Sequence, residues 1–78
     1  MKEPYKIFAD FNNADAHGRL RLSTNGSLND IKEQNIILEP GMIVQVNDND
    51  EFAISGMVEF SKEEKIWVVK IDWNDLKR

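Results

Sequence analysis

In two segments of the first third of the chain, apolar residues fall on every second position. In residues 5–11, YKIFADF, the side chains of Tyr5, Ile7, Ala9 and Phe11 share one face, and Lys6, Phe8 and Asp10 share the other. A period of two belongs to a strand with one buried face. Residues 18–24, GRLRLST, repeat it with Leu20 and Leu22 inward and Arg19, Arg21 and Ser23 outward, the pattern of a half-exposed antiparallel strand. The spacing predicts that these two strands pair as a hairpin, closed by the polar residues between them. The second half alternates too. Met42, Val44 and Val46 mark one strand, and Phe52, Ile54, Val58 and Phe60 mark a longer one with Gly56 in phase between them. A glycine there predicts a bulge or a sharp bend. Residues 65–71, KIWVVKI, are apolar on both faces and predict a strand with neighbours on either side.

Between the strands the punctuation is polar. Residues 24–27, TNGS, read as a turn. Ser27 then caps a short helix near residues 28–34, with Asp30 in the capping-box position, Leu28 and Ile31 facing inward, and Asn35 as the stop. Residues 36–38 form a short extended piece, and the Pro-Gly pair at 40–41 a turn. Turns are also expected at 47–50 and 61–64, and Asp72 caps a closing helical or 3₁₀ turn. No repeat, linker or low-complexity stretch interrupts the chain, so residues 1–78 are expected to form one domain. A flat sheet of so few residues would leave one apolar face in water, whereas a curled one buries that face and hides most edges. The expected fold is mainly β: a small, partly open antiparallel β-barrel of five or six strands with one short helix near residues 28–34.

Residues 39–60, EPGMIVQVNDNDEFAISGMVEF, resemble the strand–loop–strand core of small Src-homology-3-type barrels, and more specifically of KOW-type modules. The matching residues are Gly41, Val44, Val46, Gly56 and Val58, over about a quarter of the chain. The resemblance implies a small barrel and, through the KOW modules, an RNA- or ribosome-associated role. The loop of KOW modules that touch RNA is usually basic, whereas here it carries Asp48, Asp50 and Glu51.

Composition narrows the chemistry. The 78 residues contain no cysteine, which excludes disulfides, thiolate metal sites and a cysteine nucleophile. The first residues show neither a long apolar run nor a small-residue cleavage site, and no segment approaches the roughly 20 apolar residues that span a bilayer. A soluble, cytoplasmic protein is expected. The net charge of −4 is unevenly spread. Residues 1–28 carry four bases against three acids, a net +1, and residues 65–78 four against two, a net +2. Residues 29–64 carry two bases against nine acids, a net −7. An acidic middle repels phosphate backbones and attracts a basic partner surface.

The sole histidine sits in residues 12–22, NNADAHGRLRL. Counted as a calcium loop from Asn13, this stretch places Asn13, Asp15, His17 and Gly18 at positions 1, 3, 5 and 6. Position 12 is Thr24 where a bidentate glutamate is needed, and imidazole is a poor ligand for a hard cation. A tight turn between strands accounts for the same residues. The run of residues 47–51, NDNDE, lacks the spacing of a calcium loop as well. A hydrolytic triad needs an oriented base beside a nucleophile, and nothing in the spacing brings Ser23 or Ser27 to His17. Glycine-rich phosphate loops are absent. No enzyme activity, cofactor or metal is therefore expected.

Two functional readings remain. In the first the chain is a non-catalytic module that binds another protein or docks as an accessory subunit, as a monomer or weak homodimer. Tyr5, Met57, Trp67 and Trp73 would supply an aromatic surface, and Asp48, Asp50 and Glu51 would select a basic partner. Residues 5–11 or 36–38 could offer an edge for strand pairing. In the second, Lys6, Arg19 and Arg21, with Phe8 among them, line the outer face of the first hairpin and hold nucleic acid.

Overall fold

The computed structural model describes residues 5–48 and 53–76, with side chains up to Asn74. Phe52 and the acidic residues Asp50 and Glu51 lie outside the described residues. The strands are β1 (Lys6–Phe8), β2 (Leu20–Arg21), β3 (Ile43–Asn47), β4 (Ala53–Ser61) and β5 (Ile66–Ile71). A helix, α1 (Asn25–Glu33), joins β2 to β3, and a 3₁₀ turn (Trp73–Leu76) follows β5. The strands form one sheet in the order β1-β3-β4-β5-β2, curled into a partly open half-barrel. The expected mainly β class, five strands and short helix are all present.

Alternation determines what points into the curl. Ile7 lies opposite Val46, Val46 opposite Ile54, and Val44 opposite Gly56. Val58 lies opposite Val69, and Leu20 opposite Val69 from the other side. With Ala9, Leu22, Ile36 and Ile71 these residues make the buried core. Phe60 is in phase with Val58 but emerges at the rim, 42% exposed, where its ring meets Trp67 edge-on at 5.1 Å.

Gly56 is explained by space rather than by a bulge. The ladders run without interruption from Ile43↔Met57 to Asn47↔Ala53, and from Gly56↔Ile71 to Ser61↔Ile66. β4 thus pairs with β3 along its first half and with β5 along its second, overlapping only at Gly56 and Met57. A Cβ at Gly56 would run into Val69 Cγ1 and stand 3.0 Å from Ile71 Cγ2. Glycine lets the strand approach β5 where the sheet curls.

The expected first hairpin does not form. β1 pairs with β3, in parallel, and β2 pairs with β5, so β1 and β2 occupy opposite edges of the sheet. The reason is local: the chain turns directly after Ala9. Asp10 Oδ1 accepts the Asn12 amide at 2.9 Å and the Asp10 carbonyl accepts the Asn13 amide at 2.8 Å. Residues 13–15 then run back beside 19–21, through Asp15 N–H to Arg19 O at 2.8 Å and Arg21 N–H to Asn13 O at 3.0 Å. The turn expected in residues 12–22 is therefore present, closing a smaller hairpin. Asp15 Oδ1 accepts the amides of both His17 and Arg19 at 2.9 Å, and Gly18 takes φ +78°.

The helix begins earlier than expected. Residues 24–27 are its first turn rather than a separate turn, because Thr24 is the cap: its Oγ1 accepts the Ser27 amide at 3.1 Å. Ser27 is fully buried, and Leu28, expected inward, is 52% exposed. Asn35, at φ 55°, ends the helix as expected. Residues 36–38 make no strand; Ile36 is buried and Ile37 exposed. Nor is β1 an open edge, because α1 lies along it. Phe8 N–H donates to Asp30 Oδ2 at 2.8 Å, Ser27 Oγ donates to the Phe8 carbonyl, and Gln34 Nε2 donates to the Lys6 carbonyl at 2.8 Å. A covered edge is closed to strand addition.

Candidate interaction surface

The outer, convex face of the sheet divides into an ionic half and an uncharged half. The ionic half is built on β2 and the turn before it. The Arg19 guanidinium bonds Asp15 Oδ2 through Nη2 and Glu59 Oε1 through Nη1, both at 2.9 Å. Arg21 grips both Glu64 oxygens, Nε at 2.7 Å and Nη2 at 2.8 Å, and its Nη1 reaches Asn13 Oδ1 at 2.9 Å. Beneath this network Val68, opposite both Arg21 and Glu59 in the ladders, is fully buried although it is on the outer face. The ion pairs thus roof an apolar residue, with the arginine stems covering it.

The protonation states follow from these contacts. Burial acts to raise the Asp15 carboxyl, and the amides of Arg19 and His17 with the Arg19 guanidinium outweigh it, holding the group below its ordinary value. Glu59 chiefly, against some burial, raises Arg19, and Glu64 raises Arg21. Arg21 in turn lowers Glu64. All four stay charged at neutral pH.

An open depression of about 310 Å³ is lined by His17, Arg19, Glu59 and Lys70. His17 Nε2 lies 3.2 Å from Glu63 Oε1, with both side chains largely in water. Its neighbour is a carboxylate and no hydroxyl is bonded to it among the described residues, so the geometry for activating a serine or threonine is missing. Among the described residues no group of three or more histidine and acidic side chains could hold a metal ion.

The uncharged half lies on β3 and β4. Ile43 and Met57 face each other across the ladder, 50% and 41% exposed, and Lys70 follows Met57 on β5. Gln45 opposite Ser55, and Asn47 opposite Ala53, extend this half without a charge. Ile43 was legible in the sequence: once Met42, Val44 and Val46 turn inward, the residue between them must turn out.

The residues singled out from sequence do not converge on one patch. Tyr5 and Trp67 are half-buried and pack against the core. Trp73 is 39% exposed past the other end of β5 from Trp67, and its Nε1 donates to the Gly18 carbonyl at 2.7 Å. Asp48 turns back to the Phe11 amide at 3.4 Å, and Asp50 and Glu51 are not described. Lys6 is on β1, across the sheet from Arg19 and Arg21. Phe8 lies under α1, where a Cβ on Gly26 would meet its ring at 2.7 Å. The basic face expected on the first hairpin is therefore not assembled, since its charges are split between edges and both arginines are paired with acids.

Fold and surface define a small, mainly β protein with a partly open barrel and a divided outer face. No protein-family model, curated protein or solved structure matches the chain. Among the described residues no helix is long and apolar enough to cross a membrane.

Proposed function

We propose that this chain is a non-catalytic cytoplasmic module that docks on another protein through the outer face of β3 and β4. The observation that supports this reading is the opposed pair Ile43 and Met57, about half exposed on adjacent strands, with uncharged Gln45 and Ser55 on one side and Lys70 across from Met57 on the other. Interface centres are depleted in charge and enriched in methionine and other apolar side chains. The segment that carries both residues is acidic, since residues 29–64 hold two bases and nine acids, a net −7. The partner surface is accordingly apolar at its centre and basic at its rim. Asp48, Asp50 and Glu51 belong to the acidic connection between β3 and β4 and act in steering. The Src-homology-3-type and KOW resemblance falls on the same two strands, with Val44 and Val46 on β3, Gly56 and Val58 on β4, and Gly41 in the turn before β3.

The test is affinity capture from the native host's lysate, with and without nuclease, comparing the natural chain with Ile43→Asp/Met57→Asp. Both side chains are half exposed, and because two like charges directly across the ladder cost stability, circular dichroism establishes that the variant is folded before capture is compared. A stoichiometric, nuclease-insensitive partner that the variant fails to capture is expected. Capture of ribosomal or RNA-bound proteins that nuclease abolishes and the variant retains would refute it and favour the KOW-like role.

A further inference from the structure

We infer that α1 guards a self-complementary edge, and that when α1 lifts, β1 pairs antiparallel with β1 of a second copy of this chain. Residues 5, 7 and 9 turn their backbone groups to β3: Tyr5 O accepts Gln45 N–H at 2.8 Å, and Ala9 N–H donates to Asn47 O at 3.0 Å. Lys6 and Phe8 turn theirs the other way. The outward groups, Phe8 N–H, Phe8 O and Lys6 O, are those held by Asp30 and Ser27 of α1 and by Gln34, which caps its C-terminus. Side chains are thus standing in for a missing strand.

The pattern across residues 6–10, KIFAD, names the strand that fits. A two-fold axis through Phe8 sets Phe8 opposite its own copy, Ile7 opposite Ala9 and Lys6 opposite Asp10, so cation meets anion and apolar meets apolar. In that register each Phe8 N–H donates to the partner's Phe8 carbonyl, and, once the turn that Asp10 now holds opens to extend β1, each Asp10 N–H donates to the partner's Lys6 carbonyl. The three groups that α1 now satisfies in each copy are all satisfied again. Opposite charges and aromatic pairs directly across an antiparallel ladder add to stability, and a closed two-fold contact stops at the dimer.

The helix is a weak guard. It packs chiefly on β1; its buried residue is Ser27, Leu28 is half exposed, and Ile31, expected inward, meets the core while only partly buried. It begins with Asn25 and Gly26, both poor helix formers. An element with few apolar contacts opens well below the free energy of global unfolding.

The experiment uses the full chain and the variant Asp30→Ala/Gln34→Ala, studied by sedimentation equilibrium from micromolar to millimolar concentration. The variant is expected to dimerise with a dissociation constant at least about tenfold below that of the natural chain, the ratio one net hydrogen bond gives. Adding Lys6→Glu should return it to monomer, and adding Asp10→Lys to that should restore the dimer. A folded variant that remains monomeric, or a dimer indifferent to both charge changes, would overturn the inference. If the variant does not fold, hydrogen exchange of the natural chain decides. The Phe8 amide should exchange together with the Leu28 and Gln34 amides and faster than Val58. Exchange of Phe8 only with Val58 and Val69 would show that the guard does not open, and would overturn it equally.

Discussion

Gly56→Ala adds one methyl group where β4 crosses from its β3 ladder to its β5 ladder. The new carbon would overlap Val69 Cγ1 and lie 3.0 Å from Ile71 Cγ2 and 3.1 Å from the Lys70 carbonyl oxygen. Gly56 does not adopt a positive φ, so backbone strain plays no part. At a compatible backbone a glycine-to-alanine change stabilises by about 0.4–1 kcal/mol through the unfolded chain. Overpacking a filled core costs about 1–3 kcal/mol. One of the obstructing neighbours is backbone and cannot rotate away, which puts the cost toward the upper end, and the net is a loss of about 2 kcal/mol. For a domain of this size each kcal/mol moves Tm by about 4–8 °C, so a fall of about 8–16 °C is expected in thermal unfolding followed by circular dichroism. Val69→Ala removes the clashing methyl groups at the cost of a cavity. The double variant Gly56→Ala/Val69→Ala should therefore be more stable than the sum of the two losses, by about 1–2 kcal/mol. If Gly56→Ala were as stable as the natural chain, or the two changes simply added, close approach of β4 to β5 would not be what requires glycine.

Three further outcomes follow from the same geometry. Thr24→Ala removes the α1 cap and its bond to the Ser27 amide, and should cost about 1 kcal/mol in urea denaturation; no loss would mean that α1 is capped otherwise. Lys65 has φ 60° in the β4–β5 turn; relieving a left-handed residue, less the added freedom of glycine, predicts that Lys65→Gly stabilises by about 0.5–1 kcal/mol. A lower urea midpoint would contradict this. Asp15 is held below its ordinary pKa, so its contribution is present above the unfolded value of about 3.9 and is lost as pH falls through the folded value. Asp15→Asn should therefore flatten the decline in stability below about pH 4, and an unchanged acid profile would remove Asp15 from the account.

A good deal of the fold is written in the alternation. Val44, Val46, Ile54, Val58, Leu20 and Leu22 are buried as their spacing requires, and Asn35 and Asp72 punctuate where they were expected to. The helix start was misread because Thr24, Asn25, Gly26 and Ser27 are turn formers by local chemistry. The Phe8 carbonyl, brought up from β1, joins the Thr24 hydroxyl in satisfying a buried Ser27, and Leu28 is left half exposed. The candidate surface was half legible. Met57 and Ile43 face outward by phase alone, whereas nothing local shows that Arg19 and Arg21 are neutralised by Glu59 and Glu64, more than 35 residues away.

By itself, then, the sequence determined which segments extend, where they turn and which side of each strand is apolar, since these depend on side-chain period and on local backbone preference. The tertiary structure decided the partners. Backbone hydrogen bonds are the same for every strand, so alternation cannot say that β1 runs parallel to β3 rather than back along β2. The turn after Ala9, the space left by Gly56 and the side chains of Ser27, Asp30 and Gln34 on the edge of β1 settle that order together. They also put Lys6 on the opposite edge from the arginines and leave Ile43 and Met57 side by side in water.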